Sequence, residues 1–450
     1  MSQLKITVSG IRGKYPELIN EHVAEQFANA YAAWNSGKNI VVASDTRHSS
    51  PALKEVVIKT LIRHGKNVID IGIVPTPTVQ VYIREKRLDG GIMITASHNP
   101  GSDNGLKLIS NQGVFLNYAE VDQINQLLNA VSAQNLAGTV LANHDAAELH
   151  IQKILKMIDV EKIKSQKFKI AFDPVNGAGA EIHPQLLKLL GCEIKGIHLK
   201  MHGDFERVAE PRPENLKKLT ELVKKENSNL GIALDVDADR LVLVDEKGIC
   251  LPEDLTLCLV ADAILSTRLK PKGVLVTNLS TTNTFGDIAK KYGIPLIQTP
   301  IGEINVSSRM LKENAIFGGE GNGGVIIPAI GYGRDALAGV AVILNYLANS
   351  EKTLSQWAQS LPRYAMIKDK IQANDSQATK QLLNYIQKNY KSDQINKEDG
   401  LKFIFNDNSW VHIRESNTEP IIRIIAEAKT TVEAQKLVDQ IKNLTSGVRV

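Results

Sequence analysis

The feature that most constrains this chain is an alternation of short apolar runs with helical patterns, begun three times. In the first third, "NIVVASD" (39–45) is the β-branched run of a buried strand. "PALKEVVIKTLIRHG" (51–65) then opens on Pro, carries basic residues in its last turn and closes on Gly, the marks of a helix. "NVIDIGI" and "GGIMITA" supply two more strands. A βαβαβ order requires a mostly parallel sheet covered by helices.

The pattern restarts near 167 with "FKIAFDPVNGAG", "EIHPQLLKLLG", "CEIKGIHL", "PENLKKLTELVKKEN", "LGIALDVD" and "RLVLVDE". It restarts again near 252 with "EDLTLCLVADAILSTRL", "GVLVTNLS", "TNTFGDIAKKYG" and "IPLIQTP". Three α/β units of similar size suggest a divergent internal repeat. The tail differs. "LKFIFNDNSWVHIRE" and "EPIIRIIAEA" read as antiparallel strands, and a helix follows a capping box at Thr430 and Glu433, with Ala434, Leu437, Val438, Ile441 and Leu444 as its apolar stripe. The expected domains are 1–148, 149–249 and 250–365, all α/β, and a small α+β domain at 366–450.

At 450 residues the chain is too long for one core. Its formal net charge of +4 is not gathered into a basic block, so neither nucleic acid nor an anionic membrane is expected as partner. Cys192, Cys250 and Cys258 have no metal or redox spacing, which fits a reducing compartment. The start, "MSQLKITVSG", has no signal-peptide pattern, and the longest apolar run, Ala336 to Leu347, is too short to span a bilayer. A cytoplasmic protein is expected.

Five stretches carry chemistry. "DGGIMITASHNPGSDNGLKLIS" (89–110) ends an apolar strand in Ser97 and His98, a nucleophile beside a base, and reaches Lys107 after a Pro-Gly turn. It lacks the G-x-S-x-G elbow of an esterase. In "LGIALDVDADRLVLVD" (230–245), Asp235, Asp237 and Asp239 stand at i, i+2 and i+4, on one face if the chain is extended. Three like charges among apolar strands call for a hard divalent cation. Arg240 stands where an EF-hand loop needs Gly, which excludes that alternative.

"FGGEGNGGVIIP" (317–328) matches G-x-G-x-x-G, but β-branched residues and a proline follow instead of a helix, so a dinucleotide site is rejected. A Gly-rich loop presenting Glu320, with Asn322 beside it, suits sugar hydroxyls. "RESNTEPIIR" (414–423) offers Arg414, Ser416, Asn417, Thr418 and Arg423, a set for a phosphate dianion. Arg12 in "VSGIRG" and Arg47 in "SDTRHSS" stand in turns beside strands; either binds phosphate or pairs with a carboxylate such as Asp45.

In this order, "TASHNP" with "NGLK", "DVDADR", the Gly-Glu-Gly loop and "RESNTEP" resemble the α-D-phosphohexomutase superfamily over nearly the whole chain. The resemblance implies three α/β domains with mixed sheets and a smaller C-terminal one around a central cleft. It implies transfer of a phosphoryl group between O1 and O6 of a hexose, through a phosphoserine and a 1,6-bisphosphate. Ser97 then carries the phosphoryl group, and Ser97, Asp235, Asp237 and Asp239 hold one Mg2+. Arg12, Lys107 and His98 stand at the reacting oxygen, with Lys107 a base if Arg12 and desolvation lower its pKa. Arg240 supports the metal loop, Glu320 and Asn322 meet the sugar, and Arg414, Ser416, Asn417, Thr418 and Arg423 take the non-reacting phosphate.

A hexose 1,6-bisphosphate would be the activator, hexose phosphates the partners, and the state a monomer or homodimer. Many members carry Ser-Gly-His after the loop glutamate, where this chain has Gly321-Asn322-Gly323-Gly324. Glu303, in "TPIGEINV", stands where glucose and mannose enzymes tend to carry His, and an acid there favours an amino sugar. Glucosamine phosphate is the expected substrate, mannose or glucose phosphate the alternative. A metal-dependent sugar phosphatase and a non-catalytic sugar-phosphate sensor are the competing classes.

Overall fold

The computed structural model describes residues 4–7, 10–128, 130, 135–267, 272–372, 376–415 and 421–446, and they form four sheets. The first sheet centres on the strand Asn39–Ser44, where Ile40, Val41 and Val42 have no solvent exposure. Each such side chain contributes about 1.5–3 kcal/mol by leaving water. Parallel to it run Asn67–Ile73 and Gly90–Ile94, and Thr139–Ala142 extends that edge. Beyond Gly90–Ile94 the sheet turns antiparallel through Asp103–Ser110, Gly10–Lys14 and Lys5–Thr7. The helix expected at 51–65 covers one face as Ser50–Arg63.

The second sheet pairs Lys169–Asp173 in parallel with Glu193–Gly196 and Leu230–Leu234, then closes with an antiparallel strand, Leu241–Val244. The third pairs Leu275–Asn278 in parallel with Leu296–Thr299 and Phe317–Glu320, then closes with antiparallel Gly324–Ile326. All three units therefore share one device. A buried parallel strand ends, a short loop turns, and the chain returns antiparallel. The loops are 95–102, 235–240 and 321–323, the stretches that the sequence marks for chemistry. Helices Glu253–Ser266 and Ala336–Asn349 lie in one continuous core with both the second and third sheets, so these two units pack as one body.

The fourth sheet is wholly antiparallel, with Trp410–Glu415 beside Ile421–Ala428. Thr430 caps the last helix, Thr431–Thr445, in a capping box with Glu433; Ala434, Val438 and Ile441 are buried, and Leu437 and Leu444 pack at the rim of that core. This unit docks on the third through polar groups. Lys402 Nζ donates to Leu279 O at 2.6 Å, and Ser280 Oγ meets His412 Nδ1 at 2.8 Å. Among the described residues no helix is long and apolar enough to cross a membrane.

This docking titrates. Burial lowers the His412 pKa to about 4, against the pull of the Asp399 carbonyl and carboxylate. Its unfolded value is about 6.5, so between the two the unfolded chain binds more protons and stability falls as pH drops, by on the order of 3 kcal/mol in all. Hydrogen-exchange protection of Trp410–Glu415 is expected to weaken from about pH 6.5 downward, and the His412→Asn variant to flatten that dependence. Protection that is level over this range in the wild type would remove His412 as the cause.

Candidate active site

The loop after Gly90–Ile94 is shaped by one buried cation. Arg47, 1% exposed, pairs with Asp45 through Nε at 3.0 Å. Its other nitrogens donate to the carbonyls of Ser97 at 2.7 Å, Asn99 at 2.7 Å, Asp103 at 2.8 Å and Pro100. Of the two roles open to Arg47, carboxylate pairing is the one seen. Thr95 Oγ1 donates to Asp45 at 2.7 Å and accepts from Ser97 N at 2.9 Å. Thus fixed, Ser97 adopts a left-handed φ of 51°, a conformation that costs on the order of 1 kcal/mol. Its hydroxyl is aimed at Asp235 Oδ2, 3.0 Å away, and His98 Nδ1 lies 3.3 Å from it.

The three aspartates converge by a turn, not on the face of an extended strand. The strand ends at Leu234, and Ala238 takes a φ of 52°. All three are fully buried, and one oxygen from each lies within 4.8 Å of the others. Asp235 Oδ1 accepts the backbone N–H groups of Asp239 and Arg240, both at 3.1 Å. Asp237 Oδ2 accepts from Thr76 Oγ1 at 2.5 Å and Lys107 Nζ at 2.6 Å. Asp239 Oδ2 accepts from Lys107 Nζ at 3.0 Å and Arg334 Nη2 at 2.7 Å.

The remaining oxygens are the informative ones. Asp237 Oδ1 and Asp239 Oδ1 are buried without a hydrogen-bond partner among the described residues, and Asp235 Oδ2 faces the Ser97 hydroxyl. Such orphaned acceptors are costly unless a cation takes them. Burial raises the Asp235 pKa well above the carboxylate range, and Asp239 and Asp237 add to it. Burial works the same way on Asp239, but Arg334 and Lys107 hold that carboxyl well below the range.

Lys107 sits on the strand Asp103–Ser110, 1% exposed. The lowered pKa expected of it is not found. Burial disfavours its charge, yet Asp237 and Asp239 outweigh burial and Arg12, and the pKa is raised. The ammonium lies between Asp237 and Asp239, 2.6 and 3.0 Å from their oxygens.

The sugar loop completes the wall. Glu320 accepts from Asn278 Nδ2 at 3.0 Å and Gly302 N at 3.1 Å on one oxygen, and from Arg334 Nη1 at 2.9 Å on the other. Asn322 Oδ1 accepts from Gly324 N at 3.2 Å and folds the loop back. A strand, not a helix, follows the glycines. The loop is tied to the metal hairpin by Leu241 N donating to Gly323 O at 3.0 Å.

One cleft of about 300 Å³ gathers several of these groups. Arg12, Ser97, His98 and Arg240 line one side; Glu303, Glu320, Asn322 and Arg334 line another, and Arg414 and Arg423 reach in from the fourth unit. Those last two are direct partners across their strands. Arg414 pairs with Asp399 at 3.1 Å, and Arg240 with Glu210 at 3.0 Å. Ser416, Asn417 and Thr418 lie outside the described residues. Four units thus present Ser97, Arg240, Glu320 and the Arg414–Arg423 pair to a single space, and Asp235 lies 3.0 Å from the Ser97 hydroxyl.

The four phosphoglucomutase/phosphomannomutase domain families, α/β/α domains I, II and III and the C-terminal domain, match residues 3–135, 148–248, 252–364 and 366–444 in turn. A phosphoglucomutase/phosphomannomutase of Thermococcus kodakarensis is 37% identical, over 96% of each chain. The chain belongs to the phosphoglucomutase/phosphomannomutase family. A phosphoglucosamine/phosphogalactosamine mutase of Sulfurisphaera tokodaii is 31% identical, over 97% of this chain and 98% of its own. A solved member of the family from Burkholderia thailandensis superposes with a TM-score of 0.86 at 24% identity, over 97% of this chain and 96% of that one.

For a phosphohexomutase, the donor set fits a hard divalent cation. It offers three buried carboxylate oxygens and a serine oxygen, all hard ligands, with no sulfur or imidazole among them. Arg334 and Thr76 bond directly to the aspartates and were not singled out from the sequence. Arg334 stands in "YGRDALAG", a Gly-rich run just before a helix N-cap, which was the only signal for it.

Proposed function

We infer that this phosphohexomutase interconverts the 6-phosphate and 1-phosphate of glucosamine through phospho-Ser97 and a 1,6-bisphosphate. The carrying observation is the cleft itself, which Ser97, Glu320, Arg414 and Arg423 line together, with Asp235 3.0 Å from the Ser97 hydroxyl. A phosphatase has no need to hold a second phosphate while the first reacts.

Asp235, Asp237, Asp239 and Ser97 would hold one Mg2+, which supplies electrophilic stabilisation of the transferring phosphoryl group when bound. The chain's own groups position and move protons. A sugar hydroxyl attacks phospho-Ser97; a new P–O bond forms to the sugar, and the P–Oγ bond breaks. The proton leaves the sugar hydroxyl and ends on Oγ. His98, 3.3 Å from Oγ and open to the cleft, is the group placed to carry it. Burial, with Arg240 and Arg12, holds the His98 imidazole well below its usual pKa, hence neutral. Arg12 and Arg240 face the phosphoryl group from the same wall. The intermediate then turns, Arg414 and Arg423 take the phosphate just transferred, and the other returns to Ser97. A hexose 1,6-bisphosphate phosphorylates resting Ser97 and so acts as activator.

The sugar is the finer question. Glu303 lines the cleft, but Arg334 stands 3.0 Å from it, and burial lifts its pKa to about 7. Its charge is largely balanced within the protein, so the preference for an amino sugar rests mainly on the similarity to phosphoglucosamine mutases. The 37% identical relative favours glucose or mannose phosphate as the second reading.

A competition decides between them. Protein, Mg2+ and a hexose 1,6-bisphosphate are mixed with equal glucosamine, mannose and glucose 6-phosphates, and phosphorus NMR follows each 1-phosphate. A dominant glucosamine 1-phosphate signal is expected. Dominant mannose or glucose product would move the enzyme to the second reading, and free phosphate alone would make it a phosphatase.

A further inference from the structure

We propose that Arg334 is a positioning residue that couples cation binding to sugar binding. This rests on the mutase reading of the cleft. One planar guanidinium meets three carboxylates from three separate stretches of chain. Nη2 reaches Asp239 Oδ2 at 2.7 Å, Nη1 reaches Glu320 Oε2 at 2.9 Å, and Nε stands 3.0 Å from Glu303 Oε2. Asp239 belongs to the metal loop, Glu320 to the sugar loop, and Glu303 opens the helix Glu303–Glu313.

The division of oxygens gives the link its direction. Arg334 holds Asp239 by Oδ2 and leaves Oδ1 buried without a hydrogen-bond partner among the described residues. It holds Glu320 by Oε2, while Oε1 is fixed by Asn278 and Gly302. A sugar hydroxyl that orders Glu320 therefore orders Arg334, and through it the carboxylate that offers Oδ1 to a cation. By linkage, a cation on Asp239 must favour sugar on Glu320 by the same factor.

Two features show that the site is built around this side chain. First, its backbone is pinned. Asp335 N donates to Val325 O at 2.8 Å, and the Asp335 carboxylate caps the helix Ala336–Asn349 while meeting His150 Nε2 at 2.8 Å. His150 Nδ1 in turn meets Thr78 Oγ1 at 3.0 Å, so all three α/β units brace the residue next to Arg334. Second, space is reserved for its stem. A Cβ on Gly324 would stand 2.2 Å from Arg334 Cδ. Arg334 passes through the space that a side chain there would fill.

The test uses the dephosphorylated full-length enzyme, which cannot turn over with a monophosphate alone. Mn2+ affinity is measured by electron paramagnetic resonance, with and without a saturating hexose 6-phosphate. The wild type is expected to bind Mn2+ about 5–10-fold more tightly with sugar present. Arg334→Lys keeps a positive charge but cannot span three carboxylates, and Gly324→Ala keeps the arginine but displaces its stem. In both variants the ratio is expected to fall to within about twofold of unity, at an unchanged melting temperature, with the loss in KM exceeding that in kcat. The proposal is overturned if both variants keep the wild-type ratio, or if the wild type shows none. If no hexose phosphate saturates the wild type, the mutase reading itself has failed.

Discussion

Ser97→Ala is expected to lower mutase turnover by on the order of 10⁴-fold or more, because among the described residues Ser97 is the cleft hydroxyl that faces the aspartates. The loss comes from chemistry and not from folding. The loop is fixed by Arg47 through backbone carbonyls and by Thr95 through the Ser97 N–H, none of which involves the hydroxyl. Stability is therefore expected to change by no more than about 1 kcal/mol. Two measurements separate the cases. Intact mass after incubation with a hexose 1,6-bisphosphate shows one added phosphoryl group on the wild type and none on Ser97→Ala. Steady-state turnover then reads the rate. A variant that retains turnover within about tenfold would place the phosphoryl carrier elsewhere.

The second large effect belongs to the aspartates. Asp235→Asn is the cleanest change, since an amide oxygen can still accept the N–H groups of Asp239 and Arg240 that shape the loop. What is lost is the negative charge facing Ser97. Cation stabilisation of phosphoryl transfer is worth several kcal/mol, so turnover is expected to fall about 10³-fold. Cation affinity is expected to fall alongside, about 10–100-fold by calorimetry with Mn2+, with circular dichroism unchanged. Asp235→Asn at wild-type Mn2+ affinity would remove Asp235 from the ligand set.

Much of the fold was legible because local pattern and tertiary demand agree. The run at 39–45 is apolar because its strand is buried on both faces, and Thr430 with Glu433 caps the last helix from within four residues. The aspartates were legible as a group, since three acids in an apolar setting admit few explanations. Their geometry was not, because convergence depends on the left-handed turn at Ala238, a conformation that alanine does not advertise. The surroundings of Lys107 were not legible for a related reason. Its strand neighbours are known from the sequence, but the carboxylates that hold its proton lie about 130 residues away in the chain. Arg47 and Arg334 show the same limit. An arginine beside a turn has one appearance in sequence whether it clamps carbonyls, bridges acids or awaits a ligand.

The three hairpin returns put the serine proposed to carry phosphoryl, the aspartates proposed to hold a cation and the glutamate proposed to read the sugar in the same slot of three similarly built units. A lone unit of this kind has a single slot, and so could build only a third of such a centre. Three such units on one chain can hold different groups because each slot reaches a common space from a different side. The natural experiment in reverse is an exchange of slots: a loop from one unit, grafted at the same strand end of another, would land at the rim of the same cavity but face it from a new direction.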